Sequence, residues 1–231
     1  MNKHSEWVSK ESNQLILSSL KNTVLEYLAG KNEPGDPELI SQAFHTEYNR
    51  LLSENRNWVE DEQSEFHLHF MALLLAGYKE ILKVSTQEEA LAVLKKAAID
   101  SVKDDIQQGV RYALDYANDP MRVLVEASKE REEMFFGRTF TFARICDDEE
   151  RYHLHVQKCF YHRFAVYHSV TELMNILCEW DWIWAGAIDP ERHGFRFSLP
   201  TTLGYGNDVC RFYFERAGDC QCGMDLPSEQ E

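Results

Sequence analysis

Apolar and polar positions follow two different periods along this chain, and the period changes near Met134. Before that point apolar residues recur every three or four positions, which predicts helices. Leu15–Leu28 (LILSSLKNTVLEYL) predicts a first helix that stops at Gly30. The two Pro and one Gly of Lys31–Glu38 predict a loop. Leu39–Leu52 predicts a second helix, and Phe66–Lys83 a third, the most apolar of the set. Thr86, with Glu88 and Glu89 behind it, has the chemistry of an N-cap and starts a fourth helix running to about Val102. Ile106–Tyr116 predicts a fifth, closed by Asn118–Pro120, and Arg122–Glu133 a sixth.

From Met134 the alternation becomes two-fold. MFFGRTFTFARI predicts a strand, DDEE (Asp147–Glu150) an acidic turn, and RYHLHVQKCF the returning strand of a hairpin. YHRFAVYHSVTELMNILCEW then reads as one helix, and Phe195–Leu199 and Val209–Phe214 as two further strands. Six helices followed by β-β-α-β-β argue for an α+β fold, with an antiparallel sheet covered by helices on one face. The expected organisation is a helical region over 1–133, a sheet region over 134–216 and a loose tail over 217–231, forming one globular unit.

Composition narrows the function. The chain has 231 residues, 44% of them hydrophobic and 12% aromatic, enough for a substantial core. Its 39 acidic residues against 24 basic ones leave a formal net charge of −15, spread along the chain. Such a surface repels phosphate backbones and anionic lipid, so neither nucleic acid nor a membrane is an expected partner. The first residues, MNKHSEWVSKESNQ, contain no apolar stretch of the kind that opens a secretory signal, and the longest apolar run, Phe70–Ala76, is too short to span a bilayer. A cytoplasmic location with its six Cys as reduced thiols is the expectation.

Several side chains could carry chemistry. On the second hairpin strand His153, His155, Gln157 and Cys159 share one face by alternation, forming either a pocket wall, a set of metal ligands or plain solvent-facing surface. Cys178 and Asp181, three apart, fall on one helical face if the helix continues that far; they form one site or are a core Cys beside a surface Asp. A carboxylate next to a thiol raises the thiol pKa, so Asp181 suits general acid or base work, or anchoring a substrate amine, better than thiol activation. Trp180, Trp182 and Trp184 are expected in the core or lining a pocket. Cys210 shares an apolar strand face with Phe212 and Phe214, the setting of an ordinary core Cys. Cys220 and Cys222 form a CxC with no second pair to complete a four-ligand metal site. His67 and His69 point to different helix faces and make a poor chelating pair. No Walker loop, GxGxxG, HExxH or GxSxG occurs.

The runs KCFYHRFAVYH, LMNILCEWDW and FRFSLPTTLGYGNDVCRFYF, in that order, resemble the C-terminal half of the L-2-amino-thiazoline-4-carboxylic acid hydrolase family. HFMALLLAGYKEILKVSTQEEALAVL is similar to its N-terminal half, so the likeness covers about residues 60–215. The matching positions are Cys159, Cys178, Asp181, Thr202, Gly206, Cys210 and Phe212. The chain departs from the family pattern where Leu199 and Pro200 replace an Arg-Thr pair, Arg211 replaces an Asp and Tyr213 replaces an Arg. The missing Arg removes a fork for a substrate carboxylate, and Arg196 and Arg211 are the nearby substitutes.

The resemblance implies hydrolytic opening of a small sulfur heterocycle. It assigns catalysis to Cys159, Asp181 and Cys178, with His155, Thr202, Arg196 and Cys210 around the substrate. Cys159 is the first nucleophile candidate, with His155 on its face and His162 close in sequence as thiol-activating groups. No metal or cofactor is expected, the partner is a small-molecule substrate, and homo-oligomerisation stays open. The competing readings are a small-ligand or metal-binding module, and a family member recruited to another biosynthetic reaction.

Overall fold

The computed structural model describes residues 10–31 and 36–217. The expected tail, Cys220 and Cys222 with it, lies outside the described residues apart from Ala217, as do residues 32–35 of the expected loop. The fold is α+β: a helical N-terminal half and a C-terminal antiparallel sheet.

The helices are α1 (Lys10–Lys31), α2 (Pro37–Glu54), α3 (Glu62–Leu82), α4 (Gln87–Lys95), α5 (Ser101–Asp115) and α6 (Pro120–Arg131). At the centre is α3, packed against α1, α2 and α4. Every residue from Phe70 to Ala76 is buried, the signature of a helix enclosed on all sides. It begins four residues earlier than its apolar pattern predicts. Asp61 accepts from Ser64 N at 2.8 Å, and Ser64 Oγ accepts from Asp61 N at 2.9 Å, closing a capping box that extends the helix into polar sequence. Thr86 caps α4 as expected, accepting from Glu89 N. The predicted gap between the fourth and fifth helices is absent: a π-helical turn over Lys96–Asp100 joins α4 to α5, and Ala97, Ala98 and Ile99 in it are buried.

The four strands are β1 (Thr141–Asp147), β2 (Arg151–Lys158), β3 (Phe195–Ser198) and β4 (Cys210–Arg216), in the order β1-β2-β4-β3, all neighbours antiparallel. Tyr152, Leu154, Val156, Phe195, Cys210 and Phe214 form the buried face, and Arg151, Arg196 and Glu215 lie exposed on the other. One core cluster holds residues of α1–α4 together with Val156, Phe160, Cys178 and Cys210, so helices and sheet share apolar packing.

Two expectations are corrected. Met134–Phe136 is not strand but a π-helical turn over Glu132–Phe136 that continues α6. Tertiary hydrogen bonds override the two-fold pattern there. His67 Nε2 donates to Phe135 O at 2.9 Å, and Asp61 Oδ2 accepts from Arg138 N at 2.7 Å. Between them Gly137 has φ +64°, and a Cβ at that position would sit 2.5 Å from Asp61 Oδ2. The single helix expected after β2 is broken into α7 (Phe160–Tyr167), α8 (Met174–Leu177) and α9 (Trp180–Ala185), followed by α10 (Pro190–His193). The first break falls at Ser169, whose φ of +56° no helix accommodates.

Asp61 thus caps α3 and pins the exit of the π-helical turn. Asp61→Ala is expected to lower stability by about 2 kcal/mol, the upper end of the range for a lost N-cap, measured by the shift in urea midpoint at constant slope.

Candidate active site

The chain crossings around the start of β4 bring distant residues together. Cys159 is the junction between β2 and α7, and Tyr161 lies in the first turn of α7. Cys178 lies between α8 and α9, and Asp181 in the first turn of α9. Thr202 and Gly204 come from the loop between β3 and β4, and Cys210 is the first residue of β4. The charge of Asp181 is felt at Cys159, Tyr161, Cys178, Cys210 and Arg131, so all five lie within electrostatic reach of its carboxyl group.

The loop is held by its own backbone. Thr201 Oγ1 donates to Val209 O at 2.9 Å, Asn207 Oδ1 accepts from Thr202 N at 3.2 Å, and Leu203 N donates to Cys210 Sγ at 3.3 Å. Gly206 turns the chain at φ +86°. Gly204 lies against Cys178 so closely that a Cβ there would be 2.5 Å from Cys178 Sγ. The hydroxyl of Thr202 is buried beside the Cys178 thiol, whose pKa it draws down.

Burial sets the protonation states. It raises the Asp181 carboxyl to about 7, and the Arg131 guanidinium pulls the other way without matching it. Burial likewise raises the thiols, Cys178 to about 11 and Cys210 to about 12. The Cys159 thiol is pushed still higher, although the backbone N–H groups of Tyr161 and His162 at the start of α7 draw it down. At neutral pH all three are thiols, and Asp181 is poised between its two forms. Cys178 and Cys210 are 6% and 8% exposed, whereas Cys159, Tyr161, Asp181 and Arg131 keep more of their surface accessible.

His155 and Arg196 are not in this cluster. Alternation along β2 places His155 opposite the buried Leu154 and Val156, near Tyr213 and Arg211. Cys159 does not stay on that face, because β2 ends at Lys158 and the chain turns into α7, which packs Cys159 against the core. The expected His155–Cys159 pairing is therefore absent. Among the described residues no group of three His, Cys, Asp or Glu side chains is placed to hold a metal ion, so the His153/His155/Cys159 set is not a ligand cluster. Arg196 is exposed and lines a separate open cleft of about 340 Å³ with Trp182, Gly186 and Phe197. Arg211 is engaged by Thr201 Oγ1 at 2.8 Å and by Asp208.

Two members of the cluster, Arg131 and Tyr161, are not among the residues singled out from the sequence, and His67 beside them is considered there only as a metal ligand. Arg131, the last residue of α6, has its guanidinium over the rings of Phe135 and Phe136 at 5.1 and 5.6 Å. Tyr161 donates its O–H to His67 Nδ1 at 2.7 Å. The tautomer follows from the partners: Phe135 O can only accept, so His67 Nε2 carries the proton and Nδ1 receives the phenol's. Burial lowers His67 to about 4, which keeps it neutral. An aromatic soon after Cys159 was the available signal for Tyr161. A His in an otherwise apolar helix was the signal for His67. Arg131 had none, since nothing local links it to Asp181.

The family model described as L-2-amino-thiazoline-4-carboxylic acid hydrolase matches residues 64–214. The chain belongs to that family. No curated protein and no solved structure matches it.

Because its folded pKa is raised, Asp181 keeps a proton between about pH 4 and 7 that the unfolded chain releases. Stability therefore falls as pH rises through that window. Asp181→Asn is expected to be more stable than wild type at pH 8, by about 2–4 kcal/mol. The difference should close toward pH 4, as read from urea midpoints at both pH values.

Proposed function

We propose that this member of the family is a hydrolase that opens a small sulfur- and nitrogen-containing heterocycle at the Cys159/Asp181 site. The observation that carries the reading is a desolvated carboxyl group, raised to about 7, whose charge is felt by three thiols and one guanidinium. A group titrating near neutrality can take a proton in one step and return it in the next.

The chemistry then divides as follows. The Asp181 carboxylate accepts the Cys159 proton as the sulfur attacks the carbon between the ring nitrogen and sulfur; a carbon–sulfur bond to Cys159 forms and the C=N π pair moves onto the ring nitrogen. Asp181, now protonated, passes its proton to the ring sulfur as the nitrogen pair re-forms C=N and the ring carbon–sulfur bond breaks. Water attacks the same carbon, giving one proton to Asp181, and Cys159 leaves and recovers that proton. The sum is addition of one water, with oxygen on carbon and hydrogen on sulfur. The N–H groups of Tyr161 and His162 face the Cys159 sulfur and favour its transient thiolate. Cys178, Cys210 and Thr202 shape the wall beside Asp181. Leu199, Pro200, Arg211 and Tyr213, where the family pattern has other residues, favour a substrate related to the family's namesake over the namesake itself.

Turnover of 2-aminothiazoline-4-carboxylate and substituted thiazolines, followed by release of free thiol, tests the reading. Cys159→Ala and Asp181→Asn are each expected to lower kcat/KM by at least about a hundredfold. Full activity in both variants would remove these residues from the chemistry. In wild type kcat/KM should rise with pH through about 7, as Asp181 loses its proton, and Asp181→Asn should lack that limb.

A further inference from the structure

Arg131 carries a charge that no described carboxylate meets in a salt bridge. Its Nε is buried without a hydrogen-bond partner, and among the described residues it closes on no carboxylate. Other arginines of the fold do: Arg144 on Glu132 at 2.8 Å, Arg192 on Asp115 at 2.8 Å and Arg216 on Asp119 at 2.6 Å. Asp181 is felt by Arg131 as a charge but is not its salt-bridge partner. Burying a guanidinium in this way is costly, and burial lowers its pKa.

Its position is nevertheless over-determined. Phe135 and Phe136 hold the plane of the guanidinium from the π-helical turn, a distortion that recurs at functional sites. That turn is pinned by His67 through Phe135 O and by Asp61 through Arg138 N. The same His67 holds Tyr161, whose electrostatics respond to both Arg131 and Asp181. A fixed, desolvated fork with an unused donor is what recognition of a planar anion requires. The other two candidate forks are committed elsewhere: Arg196 is exposed beside a different cleft, and Arg211 is bound to Asp208 and Thr201.

We infer that Arg131 is the specificity-determining residue of this site, its guanidinium receiving a carboxylate carried by the heterocyclic substrate. The ligand assignment rests on the hydrolase reading; the anion-binding role of Arg131 does not. A bound carboxylate offsets the Arg131 charge that favours ionised Asp181. Around that carboxyl group the remaining titratable groups, Cys159, Tyr161, Cys178 and Cys210, are all neutral at pH 7.5. Binding of the anion therefore draws a fractional proton onto Asp181, and in the complex the deprotonated fraction serves as base, so the limb in kcat lies above that in kcat/KM.

Calorimetry on the full chain carrying Cys159→Ser, with 2-aminothiazoline-4-carboxylate and with 2-aminothiazoline lacking the carboxylate, tests this. The carboxylate probe is expected to bind about 10- to 100-fold tighter, the worth of a charge-assisted pair. Adding Arg131→Gln should bring the ratio close to one, and Arg131→Lys should keep part of it. Repeating the titration at pH 7.5 in buffers of different ionisation enthalpy should show fractional proton uptake with the carboxylate probe. That uptake should vanish in Arg131→Gln and in Asp181→Asn. A ratio unchanged by Arg131→Gln in a protein that unfolds like wild type, or no binding of the carboxylate probe, would overturn the assignment. Preferential binding with no opening by wild type of this or of any substituted thiazoline would sink the hydrolase reading and leave the anion fork standing.

Discussion

The imidazole of His67, completely buried in the central helix, joins that helix to the two segments that carry the site. One ring nitrogen donates to the carbonyl of Phe135 in the turn after α6, and the other accepts from Tyr161 at the start of α7. The bond from Tyr161 needs the neutral ring, and burial among Phe66, Phe135, Phe136, Phe140 and Phe160 supplies it by disfavouring the charged form, against the pull of the Phe135 carbonyl. The orientation of the Tyr161 hydroxyl follows from one of those bonds, and the other shares with Asp61 the task of holding the π-helical turn. A core helix that only packed would place α6 and α7 less specifically, because apolar contact is not directional.

The site inherits its chemistry from the same burial. Desolvation disfavours every negative charge in the cluster, raising three thiols, a phenol and a carboxyl group together. Only Asp181 comes to rest near neutrality, since it starts lowest and Arg131 opposes the rise. In a chain of net charge −15, the one fixed charge in this cluster is a cation. A local environment opposite in sign to the surface suits an anionic small molecule.

Much of the fold was legible in the sequence. The helical period through α1–α6, the Thr86 cap, the hairpin and the last two strands all rest on local patterns that the structure keeps. Local patterns misled where long-range hydrogen bonds intervene. Met134–Phe136 alternates like a strand, yet His67 and Asp61 hold its surroundings in a turn. The residues after Cys159 have helical content, yet Ser169 breaks them into short pieces.

For the site the division is sharper. The order of Cys159, Cys178, Asp181, Thr202 and Cys210 along the chain, and the family it marks, could be read from residues alone. Strand alternation also paired Cys159 with His155, and only the end of β2 at Lys158 separated them. The residues that set the electrostatics, Arg131, Tyr161 and His67, come from α6, α7 and α3. Their proximity depends on how those helices cross, and side-chain periodicity describes one element at a time. Spacing therefore determined which groups are available within each element, while tertiary packing decided which of them meet, because burial and charge act through space and not along the chain.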